Sequence, residues 1–163
     1  MADVLFRPAQ AQDWPAMSHL LQSAGLPLEG ARDHLAHFEL AERDGCLIGM
    51  AGLEMHAGVG LLRSVAVAEA ERGQGVGQAL VRHAIARSRL SGLKGLVLLT
   101  ETAPDFFKRL GFRTISRAFA PEEVKTSAEF QGACPDSAIL MRLDLAEAPL
   151  TGEAGGEVGA DRA

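Results

Sequence analysis

An apolar strand, a turn built on alternating glycines and a helix follow one another between residues 61 and 90, and this succession limits the folds open to the chain more than any other segment does. The run Leu61-Leu62-Arg63-Ser64-Val65-Ala66-Val67 is rich in residues that suit a pleated, buried surface. It gives way to Glu69-Ala70-Glu71-Arg72-Gly73-Gln74-Gly75-Val76-Gly77. From Gly77 onward Ala79, Leu80, Ile85 and Leu90 recur at helix-like spacing, Arg82, Arg87 and Arg89 fit a solvated face, and Gly92 closes the helix. Glycines at such a junction let unpaired backbone N–H groups point outward, where the helix dipole also favours negative charge. The turn therefore reads as a pyrophosphate cradle. Two phosphate-binding patterns do not fit it. A P-loop needs a Lys after its last glycine, and none follows here; a dinucleotide turn needs G-x-G-x-x-G, whereas Gly73, Gly75 and Gly77 alternate.

The segment ahead of the turn reads as a meander. Residues 4–7 form an extended run that Pro8 ends. A helix follows with Asp13 as its N-cap, Trp14 and Pro15 in its first turn, and Met17, Leu20, Leu21 and Ala24 on one face until Gly25 and Pro27 stop it. After a short helix over residues 30–36, strand 38–43 reaches Asp44-Gly45, a hairpin dipeptide, so 46–56 should run back antiparallel and a turn at 57–60 should lead into 61–67. Beyond the long helix, 95–100 reads as a buried strand, 104–110 as a helix capped at Gly111, and 112–116 and 138–143 as strands. The result is an α/β domain whose mixed sheet is mostly antiparallel and flanked by helices.

A chain of 163 residues has room for one domain around one core, so a single fold over 1–145 must carry the function. Residues 146–163 shift to Ala, Gly, Glu and Asp with few large apolar side chains, which predicts a disordered tail. A net charge of −5 argues against a nucleic-acid or anionic-lipid partner, because both demand a dense cationic surface. The N-terminus lacks a basic segment before an apolar core, and no apolar run approaches the roughly 20 residues that span a bilayer, so a cytoplasmic protein is expected. Cys46 and Cys134 are far apart and belong to no C-x-x-C pair, which predicts reduced thiols. His34 and His37 have no third ligand at a supporting spacing; they read as surface or lid residues, and no metal is expected.

The glycine turn resembles the cofactor loop of the GNAT N-acetyltransferase superfamily, whose R-x-x-G-x-G signature matches Arg72, Gly75 and Gly77. Val65-Ala66-Val67 stands where that family has a splayed strand, and Ala103-Pro104-Asp105-Phe106-Phe107-Lys108-Arg109-Leu110-Gly111-Phe112 resembles its later A-x-x-F-[Y]-x-x-x-G-F block. The similarity covers roughly residues 4–145 in element order. Residues 98–103 and 126–130 carry a further likeness to small acetyltransferases of arsenic-resistance gene clusters and to the acetyltransferase domain of N-acetylglutamate synthases. The resemblance implies a centrally splayed sheet and acetyl-CoA as cosubstrate. It implies a cofactor site of Val65, Ala66 and Val67, of the loop Arg72, Gly73, Gln74, Gly75, Val76 and Gly77, and of Thr100 and Phe107.

Aminolysis of a thioester requires a neutral amine, a polarised carbonyl and a tolerable thiolate. The family often takes its base, acting directly or through water, from a carboxylate beside the splay, and Glu54 is the matching residue; the alternative is a Glu54 that points to solvent. His56 shares its face and is the alternative base or a partner. The thioester oxygen would meet a main-chain N–H of Val67 or Ala66. Where many members place a Tyr, this chain has Phe107 and no Tyr at all, so water, Thr102 or Ser137 would have to protonate the thiolate. Arg63 and Ser64 lie where related enzymes hold the acceptor. A half-buried Arg63 suits an anionic or amino-acid-like amine, or else an ion pair with Glu54 or Glu101. Three functions stay open: a small-molecule N-acetyltransferase acting by direct attack in a ternary complex, a protein-amine acetyltransferase, and a non-catalytic acetyl-CoA sensor. The partners expected are a small-molecule amine and, as an option, a second copy in a homodimer.

Overall fold

The computed structural model describes residues 3–145, so the expected tail lies outside the described residues. Ten strands and α-helices follow in chain order: β1 Leu5–Pro8, α1 Trp14–Ser23, β2 Phe38–Arg43, β3 Cys46–Met55, β4 Val59–Val67, α2 Val76–Leu90, β5 Gly95–Thr100, α3 Pro104–Arg109, β6 Arg113–Thr114 and β7 Ile139–Asp144. They build a seven-stranded sheet in the order β1-β2-β3-β4-β5-β7-β6. Every pairing is antiparallel except β4 with β5, which run parallel. This is the mixed, mostly antiparallel sheet flanked by helices that the sequence pattern predicts.

Local chemistry explains the element ends. Asp44 and Gly45 both take positive φ, 53° and 77°, as a tight hairpin turn between β2 and β3 requires. Helix α2 ends in a Schellman arrangement: Gly92, at φ 77°, donates to the Arg89 carbonyl, and Leu93 donates to that of Ser88. The sheet is covered on both faces. Leu53, Leu62, Leu96 and Met141 meet Val81, Ala84 and Ile85 of α2 and Phe107 of α3 on one side. Phe38, Leu40, Met50 and Ala66 meet Met17, Leu20 and Leu21 of α1 on the other. Gly52 is needed here for space, because a Cβ at that position would come within 2.2–2.5 Å of the Phe38 ring.

The structure departs from the sequence expectation in four places. Asp13 does not cap α1 through its side chain; it sits in helical conformation, accepts from the Gln10 N–H and forms an ion pair of 2.7 Å with Arg7. The strongest nearby cation has claimed the carboxylate. Leu90 is 88% exposed because the buried stripe of α2 runs through Val76, Leu80, Val81, Ala84, Ile85 and Ser88, and Leu90 falls off that face. Arg87 is not simply solvated: its Nε and Nη2 are buried without a hydrogen-bond partner, while Nη1 donates to the His37 carbonyl at 3.4 Å. The strand expected over 112–116 shortens to Arg113–Thr114, since Ser116 accepts from the Ala118 N–H and starts a 3-10 turn instead. Among the described residues no helix is long and apolar enough to cross a membrane.

Candidate active site in the split between β4 and β5

The parallel ladder between β4 and β5 holds for only three pairs, Val59↔Gly95, Gly60↔Leu96 and Leu61↔Val97, and ends there. Beyond it the strands part, and a cleft of about 1000 Å³ opens between them. One wall carries residues from Leu62 to Val67 of β4, and the other carries Leu98, Leu99 and Thr100 of β5. The parting coincides with a bulge: Met50 stands opposite Ala66 and Gly52 opposite Arg63, so β4 holds one residue more than β3 over that interval. Ser64, inside the bulge, has φ 58°, a left-handed conformation that side chains other than glycine adopt at a cost. Backbone strain is thus concentrated where the strand must leave its neighbour. Past Leu61 the edge of β4 that faces β5 has no ladder partner, and it presents main-chain N–H and C=O groups to the cleft.

The glycine turn closes one end. Arg72 Nε donates to the Val67 carbonyl at 3.0 Å and ties the turn to the end of β4. Gly75 is the N-cap of α2 at φ 87° and makes no side-chain cap, so the positive end of this 15-residue helix is presented at the turn, where an anionic ligand is favoured. A Cβ at Gly73 or Gly75 would meet open space; the glycines serve backbone conformation and close approach by a ligand, not packing. Arg72, Gly73, Gly75, Val76 and Gly77 line the cleft. Gln74 does not line it, because its side chain turns to the other side of the loop and accepts from Arg43 Nη2 at 3.4 Å. Thr100 lines the cleft, yet its hydroxyl already accepts from the Ala103 N–H at 3.1 Å ahead of α3. Phe107 packs edge-on against Phe106 and Phe112, with centroids 5.0 and 5.8 Å away, and reaches the cleft only as an apolar wall. Thr102 lines the cleft and Ser137 does not.

At the other end of the cleft the expected polar residues gather around one guanidinium. Arg63 is 2% exposed rather than half-buried. Its Nη1 donates to Glu54 Oε2 at 2.7 Å, its Nη2 to the Glu29 carbonyl at 2.7 Å, and its Nε to Ser64 Oγ at 3.1 Å. Of the two ion pairs foreseen for Arg63, the one with Glu54 forms. Glu54 itself is 0% exposed, which corrects its solvent-facing alternative, and it lies beneath Arg63 and not among the residues that line the cleft. His56 Nε2 lies 3.0 Å from Glu54 Oε1, and Ser127 Oγ donates to Oε2 at 3.1 Å. Burial works to raise the Glu54 pKa, but the hydrogen bonds from Arg63 and His56, the charge of His34 and the Ser127 bond outweigh it and hold the carboxyl below its usual range.

Three participants carry no role in the sequence reading. His34, taken as a surface or lid residue, turns inward with Nε2 3.6 Å from Glu54 Oε1, and burial lowers its pKa against the pull of that carboxylate. Ser127 and Glu129 arrive from a loop about 70 residues away in sequence. Glu129 lines the cleft and stands 3.5 Å from Arg63 Nη2; burial raises its pKa, the Glu54 charge adds to this, and Arg63 and Cys134 oppose it. Cys134, also at the cleft, is pushed up to about 12, first by burial and then by Glu129, so it is a neutral thiol. The advance signal for Glu129 is its place in the stretch 126–130, which carries the further likeness to small acetyltransferases and N-acetylglutamate synthase domains but spells out no chemistry. Among the described residues no group of three or more His, Cys, Asp or Glu is arranged to hold a metal ion.

Residues 6–112 match the acetyltransferase (GNAT) family, and the chain, with its split sheet, its glycine turn on α2 and the polar cluster at the opposite end of the cleft, belongs to that family of N-acetyltransferases. It is 30% identical over 150 residues to the amino-acid acetyltransferase of Neisseria meningitidis serogroup A, a match that covers 86% of this chain and 34% of the relative. The chain therefore spans about a third of the length of that curated relative. Two solved structures share the fold at higher than marginal identity. N-acetylglutamate synthase from Neisseria gonorrhoeae, complexed with coenzyme A and N-acetyl-glutamate, superposes with a TM-score of 0.76 at 27% identity over 90% of this chain and 36% of that one. Rv2747 from Mycobacterium tuberculosis, in complex with CoA, gives 0.75 at 26% identity over 87% of this chain and 99% of that one.

Proposed function

We propose that this chain transfers an acetyl group from acetyl-CoA to the amine of a small amino-acid-like acceptor, by direct attack in a ternary complex. The observation that carries the reading is the pairing of opposite charges at the inner end of the cleft: Arg63 and Glu129 both line it, 3.5 Å apart. A zwitterion is complementary to such a pair, its carboxylate to the fork of the guanidinium and its ammonium to the carboxylate. Relatives named for acting on amino acids support the same acceptor class. The 3.5 Å contact is the loosest around Arg63: Nη2, which makes it, also donates to the Glu29 carbonyl at 2.7 Å, while Nη1 and Nε are held by Glu54 at 2.7 Å and Ser64 at 3.1 Å.

Acetyl-CoA fits the residues present. Its pyrophosphate would lie on the N-terminus of α2, held by main-chain groups of residues 72–77, and the unpaired edge of β4 at Val65, Ala66 and Val67 would receive the pantetheine amides. Bound there, it supplies the activated acyl group. The chain's own contribution is to orient: Ser64 and Arg63 hold the acceptor, Glu54 clamps Arg63 from beneath, and His56 fixes the second oxygen of Glu54. Thr100 and Phe107 shape the wall of the arm, and Gln74 acts through its main chain alone. On the same footing we assign the protein to the cytoplasm, allow a homodimer, and count arsenic-bearing amino acids among the acceptors to be tried; the chemistry calls for no metal.

The test is thiol release from acetyl-CoA against a panel of amino acids, arsenic-bearing analogues, polyamines and lysine peptides. Turnover confined to amino acids and their analogues, with the acceptor KM raised at least tenfold in Arg63→Ala, is the expected result. Turnover confined to polyamines or peptides would sink the zwitterion reading, and tight acetyl-CoA binding with no turnover on any amine would mark a sensor.

A further inference from the structure

Glu129, the buried carboxylate that would face the acceptor's ammonium, has so far been given a binding task and no part in the proton transfer. Two features separate it from Glu54. The first is access: Glu129 lines the cleft while Glu54 lies beneath Arg63 with both oxygens engaged. The second is partnership. Glu54 has close hydrogen bonds from two charged or ionisable partners and a serine, whereas Glu129, 4% exposed, has a 3.5 Å charge contact with Arg63 and a hydrogen bond from the thiol of Cys134, a weak donor. Its position is nonetheless defined. Ser127 Oγ accepts from the Glu129 N–H at 3.1 Å and donates to Glu54 at 3.1 Å, which pins the start of the Glu129–Ala133 turn to the floor of the sheet. A carboxylate held in place, kept from water and short of hydrogen-bond donors is suited to accept a proton and not to anchor a fold.

We infer that Glu129 is the general base of the transfer, a catalytic residue that takes the proton of the acceptor's ammonium, while Glu54 is a positioning residue that acts through Arg63. The inference rests on the acetyl-transfer reading above. One proton passes from the ammonium to the Glu129 carboxylate; the freed nitrogen lone pair forms the C–N bond to the acetyl carbon; the C–S bond breaks and its electron pair leaves on sulfur. Of the two protons lost by nitrogen, one ends on the thiolate and one goes to solvent. Glu129, protonated in the first step, stands in the same cleft to return a proton to the thiolate, which supplies the acid that Phe107 cannot. The groups facing Glu129 are Arg63 from β4, Glu54 from β3 with His34 and His56 behind it, and Cys134 from its own segment; Glu29 and Glu101 line the same cleft. Burial and the Glu54 charge move the Glu129 pKa upward, toward the range where a base works best near neutral pH.

The experiment compares wild type with Glu129→Gln, Glu129→Asp and Glu54→Gln, using whichever amine the panel shows to be acetylated. Acetyl-CoA binding by calorimetry serves as the fold control. Glu129→Gln is expected to lose about 10²- to 10⁴-fold in kcat/KM, the usual contribution of a positioned base. It should flatten the acidic limb of the pH profile and leave acetyl-CoA binding unchanged. Glu54→Gln should raise the acceptor KM and keep the limb. In glutamate-labelled protein without any ligand, the Glu129 carboxyl signal should titrate above the other glutamates; Glu129→Asp provides the assignment if Glu129→Gln does not fold. A Glu129→Gln enzyme that keeps the wild-type limb, or a Glu129 that titrates with the exposed glutamates, overturns the inference. A panel with no turnover removes the acetyl-transfer reading, and the titration still judges the carboxyl on its own.

Discussion

Glu54 and Glu129 flank one guanidinium, and burial pushes both toward the neutral form, yet the two carboxyls shift in opposite directions. The difference is the number of donors each meets, since hydrogen bonds to the charged form offset desolvation at Glu54 and are scarce at Glu129. The consequences for stability have opposite signs. Glu54, lowered in the fold, adds stability that is complete above its ordinary value of 4.5 and is lost as pH falls through its folded value. Glu129, raised in the fold, binds its proton more tightly folded than unfolded, so its contribution falls as pH rises from 4.5 through the folded value. Glu129→Gln should therefore raise the melting temperature at neutral pH and lose that advantage below pH 4.5, where both states carry the proton. Thermal scans across pH measure this, and a variant that melts lower at neutral pH would contradict it. A residue that weakens the fold where it is charged is what a functional position leaves behind.

At the scale of the element, the strand–turn–helix unit of β4 and α2 does most of the positioning. Arg72 fastens the turn to Val67, and Gly75 provides a backbone conformation that leaves the helix N-terminus uncapped. Gly75→Ala places a side chain at φ 87° in open space, so the cost is conformational: about 1–2 kcal/mol of stability by the left-handed penalty. The added methyl would also stand where the pyrophosphate approaches. Weaker acetyl-CoA binding in calorimetry together with a lower melting temperature is expected, and unchanged affinity would show that the turn is not the cradle. Most of this unit is legible in the sequence, because a glycine pattern between an apolar strand and an amphipathic helix is a local signal. The bulge at Ser64 is not, since a serine carries no mark of left-handed backbone; it arises because β4 must pair with β3 on one edge while leaving β5 on the other.

For the whole molecule, the sheet is two ladders, β1 to β4 and β5 with β7 and β6, joined by three parallel pairs at the closed end of the cleft. A ligand in the split should therefore act as a brace. At 100 times its Kd, acetyl-CoA is expected to stabilise the fold by about 2.7 kcal/mol. Hydrogen exchange should slow most over residues 62–67 and 98–100, whose edges toward the split have no ladder partner; protection confined to the glycine turn would contradict the brace. The sequence by itself determined the order and type of the elements, the β2–β3 hairpin and the glycine turn ahead of α2, because each depends on contacts within a few residues. It also placed Glu54 and His56 on one face through the period of a strand, and offered Glu54 or Glu101 as the partner of Arg63. Only the tertiary structure decided which carboxylate reaches the cleft. The depth of Glu54 depends on Arg63 and Glu29 closing over it, and the presence of Glu129 and Ser127 depends on a distant loop folding back across the sheet. Burial and charge are properties of that assembled neighbourhood, and no stretch of local sequence contains them.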